Sequence, residues 1–177
     1  MIKELWILIK LLFSSKPSEV RAKGKLEVMV MEHFPFGKFT YMSWCGKIIT
    51  KSSQKDVVLR FLSLLPGQTV KTHEFGHCVQ AETEHGDNWV RYYLSYFWQW
   101  IKHNPLIAPA SACYYVNRYE VEAYAQEENP DYWLIYTRKN LRGVYSIPNA
   151  KKLFKDLGCV SKPSIWKSYV KTIKITN

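Results

Sequence analysis

His73-Glu74-Phe75-Gly76-His77 constrains this chain more tightly than any other stretch, because two imidazoles four residues apart meet at one point only on an α-helix. There they share a face about 6 Å apart, near enough to converge on one metal ion. The context agrees: Thr69 to Ala81 reads as a helix with apolar neighbours Phe75, Cys78 and Val79, and strand-like sequence precedes it. Glu74 is rotated off the line joining the imidazoles. It stays near an open coordination position, where a carboxylate can take a proton from metal-bound water. A metal there lowers the pKa of that water from about 15.7 towards about 7 and polarises a scissile carbonyl.

Two histidines leave a zinc site short of a protein ligand, and the third should come from a separate helix. His85, His103, Glu82, Glu84, Glu120 and Glu122 are the candidates, and Glu120 is the choice. It sits in Tyr119-Glu120-Val121-Glu122-Ala123-Tyr124-Ala125, where two carboxylates interrupt an apolar and aromatic helix. Burying a charge in such surroundings is costly unless a cation neutralises it. Glu122 points about 200° away from Glu120, so the two do not serve as ligands together.

At 177 residues and 47% apolar, the chain suits one domain over 1–177 with a real core, and it is too apolar for intrinsic disorder. The expected fold class is α+β, predominantly helical. Lys25 to Met31 alternates like a strand with Leu26, Val28 and Val30 on one face. Lys38 to Trp44 and Lys47 to Thr50 form an extended pair joined at Cys45-Gly46, with Phe39, Tyr41 and Ser43 facing one way. Together these predict a small antiparallel sheet.

Helices are expected at Asp56 to Leu65, ending at Pro66-Gly67, and at 89–100, where Asp87 can cap and Trp89, Tyr93, Tyr96, Phe97 and Trp100 form a packing stripe. A loop follows between Pro105 and Pro109, then a helix from about Val116 to Glu128. Further helices are expected at Ala150 to Leu157 and after Pro163. Residues 25–130 would form the catalytic core and 150–177 a basic, helical end.

Cys45, Cys78, Cys113 and Cys159 have no CxxC spacing, which excludes a zinc ribbon or disulfide framework and fits the buried thiols of a reduced, cytoplasmic protein. No stretch approaches the ~20 apolar residues of a spanning helix. Residues 2–13 are very apolar, but Lys10 interrupts them and no small-residue cleavage pattern follows. They read as a short helix that packs on the domain or lies on a membrane surface as a peripheral contact. The formal charge is +10. Lys151, Lys152, Lys155, Lys162, Lys167, Lys171 and Lys174 read as a solvated face, and without a recognised motif no specific nucleic-acid partner is expected.

The pattern HExxHxxQ, His73 to Gln80, with Glu120-Val121-Glu122-Ala123-Tyr124 forty-three residues after His77, resembles the gluzincin superfamily of zinc metallopeptidases. Within it, the small single-domain bacterial members, the minigluzincin-like proteins, are most similar. Phe39 to Ile49 resembles the edge strand and turn that precede their active-site helix, so the likeness spans about 30–130.

The resemblance implies a zincin-like sheet packed on the helix of His73, Glu74 and His77. Zn2+ would be held by His73, His77 and Glu120, with Glu74 as general base. A peptide or protein substrate would lie antiparallel to the strand of Phe39, Thr40, Tyr41, Met42, Ser43 and Trp44. The family pattern places a small residue three positions after the glutamate, which Ala123 matches, and often an aspartate at four that braces a ligand histidine. Tyr124 stands there instead. Tyr114, Tyr115, Arg118 and His103 are unranked candidates for oxyanion stabilisation. The lack of an evident donor motivates the alternative of a zinc-binding but non-catalytic structural or interaction module.

Overall fold

Alternating apolar residues build a three-stranded sheet from β1 (Glu27–Met31), β2 (Tyr41–Trp44) and β3 (Lys47–Lys51), in the order β1-β3-β2. The computed structural model describes residues 1–16, 19–20, 26–35, 39–62, 69–86, 88–103, 110–136 and 147–173. Cys45 and Gly46, at φ 50° and 75°, form the left-handed two-residue turn that suits a tight hairpin. β2 and β3 are accordingly antiparallel, from Trp44 opposite Lys47 to Tyr41 opposite Thr50.

β1 corrects the expectation of an antiparallel sheet. It pairs with β3 in parallel, Glu27 opposite Lys47 to Met31 opposite Lys51, so the sheet is mixed. Alternation fixes which residues share a face but not the direction of a neighbour, which the long connection between the strands decides.

The pleat sorts side chains onto two layers. Val28, Ile48 and Tyr41 join the cluster containing Cys78, Ala81 and Tyr119. Met29, Met31, Met42 and Ile49 pack on the opposite side around Leu8 of helix α1 (Ile2–Ser14). Trp44 fastens that helix. Its indole donates to the Leu8 carbonyl at 2.9 Å and stacks on Tyr93 with ring centroids 4.4 Å apart.

After a 3-10 turn at Ser52–Gln54 come α2 (Lys55–Leu62), α3 (Thr69–His85), α4 (Trp89–Ile101), α5 (Ala110–Tyr115), α6 (Arg118–Ala125) and α7 (Pro130–Leu134). The last two helices are α8 (Ala150–Asp156) and α9 (Pro163–Lys171). α3 packs against α4, α6 and α7, and its residues from Thr72 to Ala81 are almost wholly buried. Asn88, not Asp87, caps α4: its side chain accepts from the Arg91 amide at 2.9 Å. Asp87 and the loop between Pro105 and Pro109 lie outside the described residues.

The helix expected from Val116 to Glu128 is shorter and starts at a buried cap, because the Asn117 side chain accepts from the Tyr119 amide at 3.1 Å. The same side chain donates to the Tyr96 carbonyl at 3.1 Å, which ties the start of α6 to α4. α9 is also anchored: Trp166 and Val170 are fully buried, and the Trp166 indole donates to the Tyr115 carbonyl at 2.8 Å. No described helix is long and apolar enough to cross a membrane.

Candidate metal centre

α3 brings two imidazoles to one point and α6 brings a carboxylate to meet them. His73 Nε2 lies 3.2 Å from His77 Nε2, with 3.4 Å from His73 Nε2 to Glu120 Oε2 and 3.3 Å from His77 Nε2 to Glu120 Oε1. Four-coordinate zinc with bonds of about 2.0–2.1 Å requires donors about 3.3–3.4 Å apart. The three atoms therefore already stand at the spacing of three corners of such a tetrahedron. Among the described residues this is the one group of histidine, cysteine, aspartate or glutamate side chains arranged to hold a metal ion. Glu120 is 2% exposed, and its Oε2 has no hydrogen-bond partner. A buried carboxylate oxygen that accepts no hydrogen bond and faces an imidazole nitrogen at 3.4 Å suits a cation placed between them.

His77 and Glu120 are held by hydrogen bonds, His73 by packing. His77 Nδ1 lies 2.9 Å from Gln80 Oε1 and 3.1 Å from the Tyr92 hydroxyl. Gln80 Nε2 donates to the Tyr119 carbonyl at 3.1 Å and to Glu122 Oε2 at 2.7 Å, so its Oε1 is left to accept. A proton is thus fixed on His77 Nδ1, which leaves Nε2 as the nitrogen that faces the metal position.

His73 has no hydrogen bond at Nδ1: its ring packs on Tyr124 with centroids 4.4 Å apart, and Nδ1 faces Glu127 Oε2 only at 3.9 Å. Glu127 Oε1 in turn meets Lys171 Nζ of α9 at 2.9 Å. Tyr124, four positions after Glu120, presents an aromatic face to His73, and the nearby acid comes from beyond the end of α6. The Tyr96 hydroxyl donates to Glu120 Oε1 at 2.7 Å.

The electrostatics follow from burial and pairing. Burial alone would lower His77, but the Glu120 carboxylate outweighs it and raises the imidazole to about 9. Burial would raise Glu120, yet the His77 and His73 imidazoles hold it well below the usual carboxylate range. Glu122 lies outside the group formed by His73, His77 and Glu120. It accepts from Tyr132 at 2.8 Å, from Gln80 at 2.7 Å and from Tyr136 at 3.4 Å, and burial raises it to about 7.

Glu74 is buried at 6% exposure, and its carboxylate accepts no hydrogen bond from any described residue. Of the residues expected on the edge strand, Phe39 and Thr40 precede β2, and Tyr41 reaches the site. Burial first, then the charges of Glu74, Glu120 and Glu127, raise its phenol strongly. Met42 and Trp44 turn towards α1, and Phe39 is 72% exposed. The Thr40 carbonyl accepts from Thr50 at 2.9 Å, while Ser43 lies on the Tyr41 side of the pleat opposite Ile48.

Among the oxyanion candidates, Arg118 is paired with Glu84 and lies 4.1 Å over the Tyr119 ring. The His103 carbonyl takes Lys151, and the neighbouring lysines depress its imidazole after burial does. Tyr114 and Tyr115 are the two on which Glu120 acts. His85 is a partner of the Tyr119 hydroxyl at 2.9 Å.

Sequence reading missed Tyr92, Tyr96 and Glu127 as supports. The first two lie on the aromatic helix, where period signals packing but not hydrogen bonding. Glu127 is seven positions after Glu120, which would mark a shared helical face had the helix continued. No family model matches this chain, and no curated protein and no solved structure is significantly similar to it.

Proposed function

We propose that this chain is a zinc-dependent hydrolase acting on peptide bonds. The observation that carries the reading is the spacing of 3.2, 3.3 and 3.4 Å among His73, His77 and Glu120, with a buried carboxylate oxygen among them that accepts no hydrogen bond. Two imidazoles and a carboxylate are the donor set of zinc hydrolases that keep one position open. When bound, the ion supplies Lewis acidity at the scissile carbonyl and an acidified water.

The chain's own residues do the rest. His73, His77 and Glu120, from α3 and α6, would hold the ion. Glu74, one residue after the first proposed ligand and with no hydrogen bond to its carboxylate from any described residue, takes the proton from the attacking water and passes it to the leaving amine. The Tyr96 hydroxyl holds Glu120 in place, and Tyr41, Tyr114 and Tyr115 are the hydroxyls near the site that can face developing negative charge. The edge strand β2 offers unpaired backbone groups for an extended peptide.

Glu74→Gln should keep the metal and lose hydrolysis by at least ~100-fold, the usual worth of a positioned base. Turnover retained in that variant with unchanged zinc content would refute the assignment. The near-complete burial of the ligands, 5% exposure for His73 and 7% for His77, favours one rival, a metal-stabilised interaction module without turnover. Screening the zinc-loaded protein against a peptide library separates the two: cleavage abolished by chelator and restored by zinc excludes the module.

A further inference from the structure

Helix α1 meets the sheet through one side only. At about 100° per residue, Glu4, Leu8 and Leu11 point inward, while Ile2, Leu5, Trp6, Ile9 and Phe13 fall in a stripe about 100° wide on the outer side. Leu8 is 4% exposed, whereas Ile2 is 82%, Trp6 57% and Phe13 75% exposed. Lys3 and Lys10 border this stripe, and the Lys10 ammonium stands 5.9 Å over the Trp6 ring. The only acid on the helix, Glu4, is turned away, bound by the His33 imidazole at 2.9 Å and by the Glu32 amide.

α4 packs against α1 and repeats the pattern. Its Trp89 and Tyr92 are buried, while Leu94, Phe97, Trp98 and Ile101 form a second outer stripe about 100° wide. Arg91 and Lys102, both exposed, border it, and α4 contains no acidic residue.

We infer that these two neighbouring helix faces dock the protein on the surface of an anionic phospholipid bilayer. Two apolar stripes rich in tryptophan and phenylalanine, edged by Lys3, Lys10, Arg91 and Lys102 and with no acid on the outer face of either helix, suit headgroups that carry negative charge over an acyl interior. The same charges argue against a second copy as the occupant, since facing stripes would bring like cations together. Neither helix can span the bilayer, so the contact is interfacial. This attachment is independent of the metal centre and stands or falls without it.

The test is flotation of the full-length chain with vesicles of phosphatidylcholine alone or with 30% phosphatidylserine. Recovery with the anionic vesicles is expected to exceed the neutral ones at least tenfold at low salt, to fall as salt rises, and to be unaffected by chelator. Trp6→Ser/Phe13→Ser and Lys3→Glu/Lys10→Glu, each shown folded by circular dichroism, should each lose most of that recovery. No recovery with anionic vesicles overturns the proposal, as does undiminished binding by both folded variants. So does a dimer of the wild type that these substitutions dissociate, because the face would then belong to a second copy.

Discussion

Glu120 and Glu122 stand two residues apart on one helix with opposite fates, and environment alone separates them. Glu120 faces two imidazoles and keeps an oxygen unpaired, while Glu122 is enclosed by Gln80, Tyr132 and Tyr136 and held near 7. Glu120→Ala should abolish stoichiometric metal binding. Glu122→Gln should only weaken it, by about 10–100-fold, because Gln80 then loses a charged acceptor and His77 its fixed orientation. Isothermal titration of the metal-free variants reads both.

His77 adds a pH dependence at the same scale. Its folded value of about 9 exceeds the ordinary 6.5, so its pairing with Glu120 stabilises the metal-free fold fully below about 6.5. That contribution fades as the pH rises through about 9. A metal must displace the same proton from His77, so zinc affinity should rise by up to tenfold per pH unit across this window and level off above it. An affinity that is flat from pH 6.5 to 9 would contradict the pairing.

At the level of elements, α3 owes its position to a glycine. A Cβ at Gly76 would lie 2.5 Å from the ring of Trp133, which is fully buried against α3 beside Val79 and Tyr136. Gly76→Ala forces that ring or the helix to move, and overpacking of this kind costs about 1–3 kcal/mol. Thermal melts should show the loss, and metal affinity should fall with it since His73 and His77 flank the contact. A melting temperature equal to the wild type's would mean the contact is slack.

Much of this level was legible in the chain. The i, i+4 histidines required α3, and the two carboxylates among aromatic residues marked α6 and Glu120. Pro163 at the first turn of α9 and the Cys45-Gly46 turn were plain local signals. What was not legible depends on distant partners. The parallel pairing of β1 has no local cue, and the shortening of α6 follows from Asn117 capping it while bonding to α4. Glu127 reaches the site only because Lys171 of α9 and the end of α6 come together there. Phe97, expected within the packing stripe of α4, is 53% exposed, because period alone does not say which of two apolar faces is covered.

Across the molecule, the candidate centre joins elements that are otherwise far apart in sequence. α3 and α6 supply the candidate ligands, α4 and α7 brace them, and α9 reaches them through Lys171, so metal occupancy should couple to the stability of the whole described structure. With free metal at 1,000 times its dissociation constant, binding only to the folded form adds about 4 kcal/mol. Chelation should therefore lower the melting temperature by several degrees, and an unchanged melt would uncouple the site from the fold.

The most direct test of the central claim is elemental analysis of the purified wild type beside Glu120→Ala. One zinc per wild-type chain, lost in the variant while its circular dichroism spectrum stays native-like, is the predicted result. Wild type that takes up no zinc, or a variant that retains it undiminished, would contradict the account.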